Sequence, residues 1–126
     1  MGQPQIILNA SRAFLIQNEK SESFFVCVLT QAIEDVFSTL GKVNKQAIYL
    51  LLKNNFGINE KEIPYKIEDF SKAINQIFGS ASKLIEIKII ERLHTKYKDF
   101  KYTSKKGELE LVEFVFSFRN YLDSEV

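Results

Sequence analysis

The stretch Ile67-Glu68-Asp69-Phe70-Ser71-Lys72-Ala73-Ile74-Asn75-Gln76-Ile77-Phe78, closed by Gly79, decides the fold class. Ile67, Phe70, Ala73, Ile74, Ile77 and Phe78 recur three and four residues apart, which gathers them on one face of a helix. Glu68, Asp69, Lys72, Asn75 and Gln76 take the opposite face. Gly79 suits the end of such a helix, because it tolerates the backbone turn that stops it.

The same reading extends upstream. From about Ser23 to Leu40, the residues Phe25, Leu29, Ala32, Ile33, Val36 and Leu40 share one face, with Phe24, Val26, Val28 and Phe37 widening it. Cys27, Thr30, Gln31, Glu34 and Ser38 lie opposite, Ser21 or Ser23 can cap the start, and Gly41 follows the end. The next segment begins at Asn44 as N-cap and stops at Gly57. Ala47, Ile48, Tyr49, Leu50, Leu51, Leu52 and Phe56 nearly encircle it, the pattern of a central, buried helix. Ile58 to Tyr65 is a connection, in which Ile63-Pro64 reads as extended chain.

Downstream the period is less clean. Ser80 or Ser82 can cap a segment that reaches about Tyr97, and its Ile85, Ile87 and Ile89 alternate as in a strand. The segment is too long for a strand and lacks turn residues, so a helix is expected. The segment Glu108 to Leu122 has a similar alternation at Phe114, Phe116 and Phe118. Read as a helix, it carries Leu111, Phe114, Val115, Phe118, Tyr121 and Leu122 on one face and Leu109, Val112 and Phe116 on a second. A helix with two apolar faces needs cover on both. Leu109, Val112 and Phe116 are therefore the candidate partner interface, with the N-terminal segment or a second subunit as cover. Residues 1–21 hold two short apolar runs, Gln5 to Leu8 and Ala13 to Ile16, which fit strands or a short helix equally. The expected architecture is all-α: an N-terminal arm over 1–21, then a single compact domain of about five helices over 22–126, packed around the Asn44 to Phe56 segment.

Composition narrows the function. The 126 residues are 45% hydrophobic and 26% charged, the balance of one globular domain. Lys+Arg is 17 against Asp+Glu 16, which excludes a bulk polycation or polyanion. One cysteine, Cys27, excludes an internal disulfide and, with one histidine, His94, leaves no zinc-type cluster. Phosphate-loop, dinucleotide, zinc-protease and nucleophile-elbow motifs are all absent from the sequence. Catalysis, metals and cofactors are not expected. No apolar run reaches a membrane span, and Met1 to Pro4 does not open like a signal peptide, so a cytoplasmic protein without membrane contact is expected.

Two features stand out. Between Arg92 and Lys106, six basic residues face Asp99 alone, a local excess of five. Lys96, Lys98, Lys101, Lys105 and Lys106 are candidate nucleic-acid contacts, with Tyr97, Phe100 and Tyr102 interleaved for base stacking. The competing reading is a solvated connection whose aromatics anchor it to the core, its lysines answered by Glu108, Glu110 and Glu113. Only three of the 17 basic residues are Arg, which disfavours sequence-specific base reading. Glu86 is the second oddity, since it shares a face with Ile89, Leu93 and Tyr97. It is either a ligand or partner contact, or a helix-start carboxylate held by backbone N–H groups.

The elements Leu40-Gly41, Ala47-Ile48-Tyr49-x-x-Leu52, Phe56-Gly57-Ile58, Ile63-Pro64, Phe70, Ile77-Phe78-Gly79, Leu84-Ile85-Glu86 and Leu93 together carry a resemblance. The run from Gln31 to Tyr97, and more weakly to Leu122, resembles the archaeal Nitrosopumilus output domain family (the fifth of that name). The resemblance implies an α-helical output or interaction module of signalling and regulation, with no catalytic residues. Its marker positions here are Gly41, Tyr49, Gly57, Pro64, Phe70, Phe78, Gly79 and Glu86. With no receiver or sensor segment beside it, the domain reads as a stand-alone regulator or adaptor. The expected function is thus a non-enzymatic regulatory interaction module acting through protein–protein contacts as a homodimer. The alternative is a nucleic-acid-binding regulator using the lysine-rich stretch 92–106.

Overall fold

The amphipathic stretch from Ile67 forms a helix with the expected bounds, Ile67–Phe78. The computed structural model describes residues 22–102 and 110–125. Among the described residues five α-helices follow one another: α1 over 22–38, α2 over Lys42–Phe56, α3 over Ile67–Phe78, α4 over Ser82–Lys96 and α5 over Leu111–Glu125. Short 3-10 segments, Glu60–Tyr65 and Gly79–Ala81, lead into α3 and α4. No strand occurs among the described residues, and the fold is all-α.

The centre is α3, which packs against α2, α4 and α5. Its Phe70, Ala73 and Ile74 are wholly buried. Around them close Leu29, Ile33 and Phe37 of α1, Ile89 and Leu93 of α4, and Phe114 and Phe118 of α5, in one continuous core. Burial of this much aliphatic and aromatic surface is the main force holding the helices together. A second aromatic group ties the end of α4 to α5. Phe100 meets Phe114 edge-on at 5.3 Å and lies tilted against Phe118 at 5.5 Å and Tyr121 at 5.1 Å.

Helix α2 departs from expectation. Its apolar pattern predicts a central helix, yet only Ile48 and Leu52 are buried. The four other helices already enclose the core, so α2 lies against its outside with one face in and the rest out. Its start also differs. It begins at Lys42, with Gly41 at φ 98°, and Asn44 sits inside the helix, its Nδ2 donating to the Leu40 carbonyl at 2.8 Å. Its end is as expected: Gly57 is left-handed, and the Ile58 amide turns back to the Leu52 carbonyl at 2.9 Å.

One other expectation is corrected, and the two helices expected downstream are found. The 58–65 connection is not extended at Ile63-Pro64. It forms a 3-10 turn containing Pro64, whose start is a capping box between Asn59 and Glu62, with Ile63 and Pro64 buried. The alternation at 85–89 and 114–118 belongs to helices, since Ile85 and Ile89, and likewise Phe114 and Phe118, are four apart and share the buried face. Residues 1–21 lie outside the described residues.

Candidate functional site

A polar link joins α2 to α1. Glu34 of α1 accepts two hydrogen bonds, from Lys45 Nζ at 2.6 Å and from Tyr49 Oη at 2.6 Å. Lys45 and then Tyr49, by bonding the carboxylate, hold Glu34 below the ordinary carboxylate range. Burial, and then the bond to Glu34, push the Tyr49 hydroxyl well above its ordinary value, so it stays a donor. The Tyr49 ring also meets Phe37 edge-on at 5.5 Å. Below this link, Ile48 and Leu52 enter the core.

With that face turned in, the opposite face is left in solvent. Val43 is 78% exposed, Leu50 58% and Leu51 39%, and Ala47 between them is exposed as well. Positions 43, 47, 50 and 51 form one strip along the helix, three and four residues apart. Beside it runs an open groove of about 820 Å³, with Gln46, Tyr49, Leu50 and Lys53 on one wall and Asn59 to Glu62 on the other. Sequence reasoning missed this site, because it placed the same apolar residues inside.

The candidate interface on α5 is partly described. Phe116 is 45% exposed and Val112 is half-buried one turn away, while Leu109 lies outside the described residues. Arg119 of α5 pairs with Glu22 of α1 and lies 5.4 Å over the Phe25 ring. Exposed Phe24 of α1 meets Tyr97, just past the end of α4, edge-on at 5.8 Å.

The candidate nucleic-acid contacts divide in the same way. Lys96, Lys98 and Lys101 are exposed, and Lys105 and Lys106 lie outside the described residues. The interleaved aromatics point inward: Phe100 is buried, Tyr97 lies 5.1 Å from Phe118, and the Tyr102 hydroxyl donates to Glu113 Oε2 at 2.6 Å. They anchor the connection to the core, and their faces are not presented for stacking on bases.

Glu86 is half-buried on α4 and is not held by the helix start. Ser71 of α3 donates its hydroxyl to Glu86 Oε1 at 2.6 Å. Beside this pair, Ser82 Oγ and Asn75 Oδ1 are 3.1 Å apart. Both pairs line a cleft of about 330 Å³ that reaches Glu110 and Val112 at the start of α5. The remaining marker positions are structural. Phe70 is in the core, Phe78 packs against its rim, Pro64 is buried in the 3-10 turn, and Gly79 carries φ 57° at the end of α3. Cys27 and His94 are both exposed. Among the described residues, no three His, Cys, Asp or Glu side chains are grouped to hold a metal, and no helix is long and apolar enough to cross a membrane.

In comparisons with protein-family models, curated proteins and solved structures, the chain has no match.

Proposed function

We propose that this protein is a non-enzymatic interaction module, regulatory in role, that works through protein–protein contacts. The observation that carries the reading is the strip Val43, Ala47, Leu50 and Leu51, left in solvent on a helix whose other face is pinned to the core. A contiguous apolar strip on a small domain costs solubility, and such strips mark contact surfaces. The regulatory and signalling part of the reading rests on the resemblance to the archaeal output domains, and the cytoplasmic setting on the sequence; both belong to the proposal.

The module is proposed to act as a homodimer through α5, where Phe116 and Val112 lie one turn apart. Light scattering on the eluting protein tests this: a dimer at micromolar concentration that Phe116→Glu converts to monomer supports it, and a wild-type monomer rejects it. The interaction reading is tested by capture from native extract after nuclease treatment. A specific protein retained by the wild type and lost with Leu50→Arg supports it; no such protein counts against it.

The second reading, a nucleic-acid-binding regulator, draws on the exposed Lys96, Lys98 and Lys101. With Tyr97, Phe100 and Tyr102 committed to the core, it reduces to phosphate contact alone.

A further inference from the structure

The exposed face of α2 is biased in charge. The helix contributes Lys42, Lys45 and Lys53 and no acidic residue. Lys45 is taken by Glu34, whereas Lys42 and Lys53 are exposed on the same side of the apolar strip, eleven residues or three turns apart. The groove follows that side, and Lys61 stands on its far wall. Of the acidic groups there, Glu62 is bound by Lys66 at 2.8 Å, which leaves Glu60 against Lys53 and Lys61 in the groove.

We infer that this face receives one amphipathic helix from an acidic partner protein. Apolar residues three and four apart on the partner seat on the Leu50 strip and in the groove, and carboxylates along its edge meet Lys42, Lys53 and Lys61. This is the helix-in-groove mode of recognition, in which apolar anchors give affinity and flanking charge gives orientation and choice of partner. Val43 to Leu51 spans about 12 Å, so a partner helix of about three turns covers it. A second copy of this chain fits less well. Pairing α2 with α2 would bring lysine-flanked edges together with no carboxylate from either helix to meet them.

The inference rests on the interaction-module reading and adds the chemistry of the partner. Its test uses three fluorescent helical peptides with the same Leu face, spaced three and four apart, and edges of Glu, Gln or Lys. Anisotropy titration of the full chain at low salt is expected to give the Glu peptide about tenfold tighter binding than the Gln peptide, with the Lys peptide weakest. Leu50→Arg, or Val43→Arg should the first fail to fold by circular dichroism, is expected to abolish binding. The double variant Lys42→Glu with Lys53→Glu is expected to remove the preference for Glu. Equal binding of all three peptides, still lost with Leu50→Arg, overturns the acidic partner and leaves the interaction reading standing. A concentration-dependent dimer broken by Leu50→Arg assigns the face to a second copy and overturns the inference. Binding of none of the peptides overturns the inference, while the interaction reading is decided separately by capture from native extract.

Discussion

Tyr49 on α2 donates its hydroxyl proton to Glu34 on α1 at 2.6 Å, fifteen residues away in the chain. That bond and the Lys45 ion pair on the same carboxylate lie on the side of α2 that turns inward. A helix apolar almost all round has several faces that could pack. The one that packs bears Ile48 and Leu52 beside the polar link, and Val43, Leu50 and Leu51 are left outside.

Removing the link should loosen α2 without unfolding the core. Tyr49→Phe deletes a hydrogen bond to a charged acceptor and is expected to lower stability by about 1.5–3 kcal/mol. Urea denaturation followed by circular dichroism measures it. An unchanged midpoint would mean that the bond contributes nothing to holding α2.

The same pair sets a pH window. Glu34 is held below its ordinary value of 4.5, first by Lys45 and then by Tyr49, so its contribution is present above that value and is lost as pH falls through the lowered one. Tyr49 is raised above its ordinary value of 10.0, first by burial and then by Glu34, so its contribution is present below 10.0 and fades as pH rises beyond it. Stability measured against pH should fall below about pH 4.5 and again above about pH 10, and Tyr49→Phe should flatten the alkaline limb. Equal alkaline loss in both proteins would contradict the assignment.

Two apolar truncations should behave oppositely. Phe70→Ala empties a fully buried site in α3 and is expected to cost about 3–5 kcal/mol. Leu50→Ala, at a side chain 58% exposed, is expected to change stability by no more than about 0.5 kcal/mol. Thermal or urea unfolding distinguishes them, and comparable losses would mean that α2 is as central as its composition suggests.

That contrast shows what the sequence makes legible. Residues 67–78 are readable because the apolar positions fill one face and polar residues fill the other, so only one packing is consistent with them. Residues 47–52 are misleading because their apolar residues exceed what one face can bury, and a sequence does not say where the surplus goes. The 85–89 and 114–118 alternations are ambiguous for a simple reason. A spacing of four is common to strand and helix periods, so Phe114 and Phe118 share a side in either, and only the exposure of Phe116 shows its relation to them. The Glu34–Tyr49 link has no local signature at all, since it depends on how α1 and α2 meet. The Ser71–Glu86 bond has the same character.

The lysine stretch makes a separate prediction. Lys96, Lys98 and Lys101 are exposed, but the neighbouring aromatics are engaged within the protein. Any affinity for single-stranded DNA or RNA should be weak, independent of base composition, and lost as salt rises. Replacing the three lysines by Ser should remove it with no loss of stability. Salt-resistant, sequence-selective binding would contradict this account.

The most direct test of the central claim is an amide NMR titration of the full chain with the Glu-edged peptide, following each residue. The account predicts shifts concentrated at 42–54 and 59–62, with α5 around Val112 and Phe116 and the stretch Lys96 to Lys101 unmoved. Shifts confined to α5 or to the lysine stretch, with 42–54 silent, would contradict it.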